Sequence, residues 1–81
     1  KRVTLRCENR FAGEMIDRFG TGQILNHCED GEHFTMTVPV QVSPQFFGWV
    51  AGFGTGVVVS GPPEVRAEMK KTLDRLEELY R

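Results

Sequence analysis

The stretch Glu29-Asp30-Gly31-Glu32-His33-Phe34-Thr35-Met36-Thr37-Val38-Pro39-Val40 decides the fold. Asp-Gly is a two-residue hairpin signal, because the turn that matches strand twist needs positive φ at its central residues. After it, Phe34, Met36, Val38 and Val40 alternate with His33, Thr35 and Thr37, the period of a half-buried strand. With Asp30-Gly31 as the loop, Cys28 stands opposite His33 and Leu25 opposite Met36. Leu25 then joins the core face, while Asn26 and Cys28 join the threonine face. A weaker strand over Gln23–Cys28 is therefore expected.

Outward from this hairpin the segments change type. Arg2-Val3-Thr4-Leu5-Arg6-Cys7 alternates strictly, with Val3, Leu5 and Cys7 on one side and Arg2, Thr4 and Arg6 on the other. Asn9 is expected as the N-cap of a helix carrying Phe11, Ala12, Met15, Ile16 and Phe19, with Gly20 as its stop. Ser43-Pro44 opens a second helix as a cap residue followed by proline at the first helical position. In it Phe46, Trp49, Val50 and Phe53 fall within about 100° of arc. Gly54 is expected to close it. Val57-Val58-Val59 forms a short fourth strand, broken by Gly61-Pro62-Pro63. A last helix runs from about Pro63 to Tyr80, with Val65, Met69, Thr72, Leu76 and Leu79 as its stripe and Leu73 and Tyr80 beside it. Its default place is folded back on its own domain, with a dimer contact as the alternative. The order strand-helix-strand-strand-helix-strand, plus a helix, predicts an α+β, ferredoxin-like βαββαβ two-layer sandwich. Right-handed crossovers place both helices on one face of a four-stranded antiparallel sheet.

Composition narrows the function. The 81 residues suit one domain with one modest core. Hydrophobic residues make up 40% and charged residues 26%, with a net charge of −1. That balance argues against a dedicated nucleic-acid binder, whose affinity would come from Lys and Arg neutralising phosphates. Two cysteines are too few for a disulfide-built secreted domain, so free thiols in a reducing cytosol are expected. No apolar run approaches the length of a membrane span. The chain starts at Lys1, without an initiator methionine, and is expected to be a piece of a longer protein.

The residues that could carry function form surfaces rather than a reaction centre. Arg2, Thr4, Arg6, Asn26, His33, Thr35 and Thr37 share one sheet face. Two arginines and several hydroxyls there could grip phosphate or carboxylate groups; the plainer reading is a solvated face or a docking surface for a neighbouring domain. No aromatic falls on it, which removes the base-stacking mode of RNA-binding sheets. Cys7, His27, Cys28 and His33 fit no zinc spacing, and at most Cys28 and His33 approach each other. That same pair lacks an oxyanion hole and an orienting third group. Gly52-Phe53-Gly54-Thr55-Gly56 lacks the Lys-Ser/Thr of a phosphate loop and follows a helix instead of preceding one. Gly48 and Gly52 lie one turn apart, opposite the aromatic stripe, each costing about 1 kcal/mol of helix propensity relative to Ala. Either the short helix tolerates this, or another backbone approaches closely: the last helix, a neighbouring domain or a second subunit. Phe47, off the stripe, would anchor that contact. No catalytic, cofactor or metal constellation emerges.

The ordered set of motifs resembles a known family. Val3-Thr4-Leu5-Arg6, then Phe46-Phe47-Gly48-Trp49-Val50-Ala51-Gly52-Phe53-Gly54, then Val57-Val58-Val59, and Pro62-Pro63-Glu64-Val65-Arg66 leading into the charged helix ending Leu79-Tyr80 are similar to the C-terminal extension, or WCX domain, of WYL-domain-containing helix-turn-helix transcriptional regulators, some with DeoR-type labels. Two positions depart from the pattern. Gly54-Thr55-Gly56 lacks the charged residues expected there, and Cys7 stands where a larger apolar residue is expected. The resemblance implies one domain over residues 1–81, the C-terminal regulatory part of a longer bacterial regulator. It implies a WYL domain and a winged helix-turn-helix domain on the same chain, and a homodimer. DNA would be contacted only through the N-terminal domain, with no membrane partner and a cytoplasmic location. The module would aid dimerisation and effector response without catalysis. A stand-alone ferredoxin-like small-ligand sensor is the rival, carried by fold analogy alone.

Overall fold

A computed structural model describes residues 1–23 and 25–81. The first strand, β1 (Arg2–Glu8), runs into a 3-10 turn at Asn9–Phe11 and helix α1 (Ala12–Phe19). A short β2 (Asn26–His27) and the long β3 (His33–Pro39) follow, then α2 (Pro44–Ala51), β4 (Val57–Gly61) and α3 (Pro63–Leu79). The sheet order is β2-β3-β1-β4 with every neighbouring pair antiparallel. Two interleaved β-α-β units produce this order: β1 and β2 flank β3, and β3 and β4 flank β1.

The alternation of β1 and β3 sets the register. Val3 stands opposite Val38, Leu5 opposite Met36 and Cys7 opposite Phe34. All six are essentially buried. Met15 of α1 and Phe46, Phe47 and Val50 of α2 join the same cluster, so both helices cover one face of the sheet. Burying an aliphatic or Phe side chain contributes roughly 1.5–3 kcal/mol, so this one face carries most of the stabilisation available to a chain of this size.

The hairpin register is the predicted one, but the turn is not. Only Gly31 has positive φ, and its amide donates to the Cys28 carbonyl at 3.1 Å. A four-residue loop over 29–32 replaces the two-residue Asp-Gly turn, because the Asp30 carboxylate takes the His33 amide. Asn26 pairs with Thr35 and His27 with Phe34, and the Cys28 amide donates to the His33 carbonyl at 2.9 Å. Leu25 packs against the core from the edge. The second strand is shorter than expected, Asn26–His27 in place of Gln23–Cys28; Ile24 lies outside the described residues.

Three local expectations change. Asn9 does not cap α1. It starts the 3-10 turn, and its side-chain Nδ2 donates to the Gly31 carbonyl at 2.9 Å while its backbone amide donates to the Glu32 carbonyl at 3.0 Å, tying β1 to the hairpin loop. The second helix ends at Ala51, earlier than Gly54; Gly54 instead takes φ of 65° in the turn that follows. Phe47 is buried in the core, whereas Trp49 and Phe53 are half-buried at its margin. The physical reason is α3, which packs beside α2 and β4. It covers the Phe47 side of α2, which a four-strand, two-helix layout leaves open. Trp49 and Phe53 pack edge-to-face at 5.1 Å, and the same geometry joins Trp49 to Phe19 and Phe53 to Phe11. Ser43 caps α2 as expected, its hydroxyl accepting from the Phe46 amide at 3.2 Å.

The turn into β4 is fixed by packing. A Cβ on the buried Gly56 would overlap the Phe11 ring and crowd the Glu8 carboxylate. Glycine there permits the close approach that lets the Glu8 amide donate to the Gly56 carbonyl.

Candidate functional site

Strand alternation puts one polar set on the sheet face opposite the helices. Arg6 stands opposite Thr35, Thr4 opposite Thr37 and Arg2 opposite Pro39. The Thr4 and Thr37 hydroxyls hydrogen-bond at 2.8 Å. Asn26 extends the face across β2 through its pairing with Thr35. The structure thus brings together all five residues singled out for ligand or domain contact: Arg2, Thr4, Arg6, Thr35 and Thr37.

One residue that sequence reasoning missed organises an end of this face. Asp30, in the hairpin loop, accepts from Arg6 Nη2 at 3.2 Å and lies 2.7 Å from His33 Nδ1. Its other carboxylate oxygen accepts from the Glu32 amide at 2.8 Å and the His33 amide at 3.1 Å. The Glu32 amide, followed by the His33 ring, holds the Asp30 carboxyl below the ordinary carboxylate range. Arg6 is therefore tethered at one end, and Arg2 lies exposed at the other. The available signal was the pairing of Arg6 with Thr35, five residues after Asp30.

β4 adds to this face as well. Val58 stands opposite Arg6 and is 40% exposed, and the Ser60 hydroxyl donates to the Thr4 carbonyl at 3.2 Å. Among the described residues no three His, Cys, Asp or Glu side chains are grouped to hold a metal ion. Cys7 lies in the core, where burial pushes its thiol from the ordinary 9.0 up to about 11, and Cys28 is half-buried on the open face. No helix among the described residues is long and apolar enough to cross a membrane.

The Gly48 side of α2 presents a different picture. Gly48 and Gly52 are exposed, and a Cβ on Gly48 would meet nothing within 4 Å. One on Gly52 would meet only the Trp49 and Gly48 carbonyls of its own helix. No backbone of another element among the described residues approaches them within 4 Å, so the last helix is removed as the reason for these glycines. Phe47 does not share their surface: it faces α3, beside Glu68 and Thr72.

A third surface lies on the other side of the helical layer. Between α3, the end of α2 and the outer side of β4 runs an open groove of about 710 Å³. Its floor is Val50, Val57, Val59 and Met69, and Leu73 and Ala67 continue it. The Glu8–Gly56 bond fixes the antiparallel alternation, so the Val59 carbonyl points away from β1. Arg66 reaches it from α3, Nη1 donating at 3.3 Å. A cationic side chain thereby blunts the free edge of the sheet. Past the groove the stripe of α3 loses its cover. Val65 is buried and Met69 packs at the core margin, but Leu73 and Leu76 are 46% and 47% exposed, and Leu79 and Tyr80 are 76% and 87% exposed. Only the first half of the helix folds back on the domain.

A family model described as the WCX domain aligns with residues 1–76. No curated protein and no solved structure matches the chain.

Proposed function

The chain belongs to the WCX domain family, and from that premise we propose that it is the non-catalytic regulatory and oligomerisation module of a bacterial WYL-type DNA-binding transcriptional regulator. The observation that carries this reading is the family match over residues 1–76. In this reading a WYL domain and a winged helix-turn-helix domain of the same chain complete the regulator. DNA is bound through the helix-turn-helix domain, and the complete protein works as a homodimer in the cytoplasm.

The surfaces fit such a role. The open face offers two arginines and paired hydroxyls with no helix over them, a polar surface suited to docking a neighbouring domain or gripping an anionic effector. Gly48 and Gly52 supply a smooth patch where another domain's backbone could rest. The balanced charge favours contact with protein over contact with DNA.

The test is deletion of this domain from the complete regulator. Loss of self-association and of the inducible response of a promoter reporter is expected, with weak promoter binding kept. A regulator that responds as before without the domain would sink the reading. A second reading, a small-ligand sensor, is favoured by the groove alone, whose volume suits a small molecule and whose walls are mostly apolar.

A further inference from the structure

The face of α3 that lines the groove also continues past it. At 100° per residue, Leu73 is the centre of that face. Arg66 and Tyr80 lie about 20° to either side, Glu77 and Met69 about 40°, and Lys70 and Leu76 about 60°. The arrangement is self-complementary. A two-fold axis through Leu73, perpendicular to the plane of two antiparallel copies of α3, sets Leu73 against Leu73 of the second copy. It brings Met69 to Leu76 on one side of the seam and Lys70 to Glu77 on the other, each pair within about 1.5 Å of the same height. Arg66 meets Tyr80, a cation beside an aromatic ring.

Charge supports the same partner. The groove is lined by Arg66 and Lys70 and by no carboxylate among the described residues. On the projecting half of α3 the carboxylate on the seam face is Glu77; Asp74 and Glu78 lie about 100° and 140° from Leu73, interspersed with Arg75 and Arg81. Lys70 and Glu77 already pair within the helix, with Asp74 at 3.5 Å and with Arg81, but these are solvent-exposed contacts of small worth that an intermolecular partner can replace. A small molecule in the groove would leave Leu76 and Tyr80 bare. A second α3 covers the groove and both of these side chains, while Leu79, about 120° from Leu73, stays outside the seam.

We propose that two copies of this chain associate through an antiparallel α3–α3 seam centred on Leu73, each projecting half-helix lying over the other's groove. The proposal rests on the oligomerisation part of the reading above and gives it a surface. It is an isologous contact, closed at two subunits.

Sedimentation equilibrium of the 81-residue chain from about 1 µM to about 1 mM tests it. A monomer–dimer equilibrium is expected. Leu73→Glu, which places two carboxylates face to face on the axis, should raise Kd at least about 30-fold. Lys70→Glu and Glu77→Lys should each raise Kd about 5- to 10-fold, and the double reversal should return it to within about threefold of the parent. All three positions are substantially exposed, and an unchanged far-ultraviolet dichroism spectrum confirms that each variant folds. A chain monomeric at every concentration, a dimer indifferent to Leu73→Glu, or charge reversals whose losses add would overturn the seam. So would a monomer whose Met69 methyl resonance shifts on titration with decanoate, which assigns the groove to an amphipathic anion. The deletion test above is independent: a seam that fails here while deletion still abolishes the response leaves the regulatory reading standing.

Discussion

The two halves of α3 share one pattern and meet two fates. Val65 and Met69 open a stripe that Leu73, Leu76, Leu79 and Tyr80 continue at helical spacing. The first residue is buried under the helix–sheet sandwich and the last two stand almost free in solvent. Nothing in the local sequence separates them. What differs is whether α2 and β4 extend far enough to lie beneath. Periodicity reports which face of a helix is apolar; it does not report what covers that face.

That contrast can be broken most forcefully at its buried end. Val65→Asp would place an unpaired carboxylate in the core, and a loss of about 4 kcal/mol or more in unfolding free energy is expected by chemical denaturation. A loss below about 1 kcal/mol would mean that α3 does not dock. A second effect sharpens the picture of the core beneath it. The folded-state thiol of Cys7 titrates near 11, against the ordinary 9.0 when unfolded. The stabilisation is fully present below pH 9 and is lost as pH rises from 9 to 11, on the order of 2 kcal/mol in all. Cys7→Val should flatten that part of the pH–stability curve; an unchanged slope would place Cys7 in a wetter site. The smallest effect belongs to the free end. Leu79→Ala should change the unfolding free energy of the dilute chain by no more than about 0.5 kcal/mol.

Much of the fold was legible because its decisive signals are local. The alternation of Val3, Leu5 and Cys7 against Phe34, Met36 and Val38 predicts the sheet and its buried face, and the Asp-Gly pair marks the hairpin and its register though not its turn type. Ser43-Pro44 marks the start of α2 for equally local reasons. The rest depended on tertiary placement. Phe47 looked like a surface anchor because its partner, α3, lies some twenty residues on, at an angle that periodicity does not supply. Asn9 has the chemistry of a cap, but its side chain finds the Gly31 carbonyl across the hairpin. The open face was legible as a set of residues: Arg2, Thr4, Arg6, Thr35 and Thr37 follow from alternation alone. Its organisation was not, because Asp30 reaches Arg6 only after the strands pair. The groove was invisible for a similar reason, being built from the outer edge of β4 and the inner side of α3, two elements in contact only once the chain has folded.

Amide hydrogen exchange along α3, followed as a function of chain concentration, tests the central claim most directly. In dilute solution the amides of residues 66–70 should exchange at rates close to those of β1 and β3, while those of residues 75–79 exchange much faster by local opening. Raising the concentration should slow residues 75–79 toward the rest of the helix and leave 66–70 unchanged. Uniform protection along α3 at every concentration would contradict the division of the helix into a docked half and a half that waits for a partner.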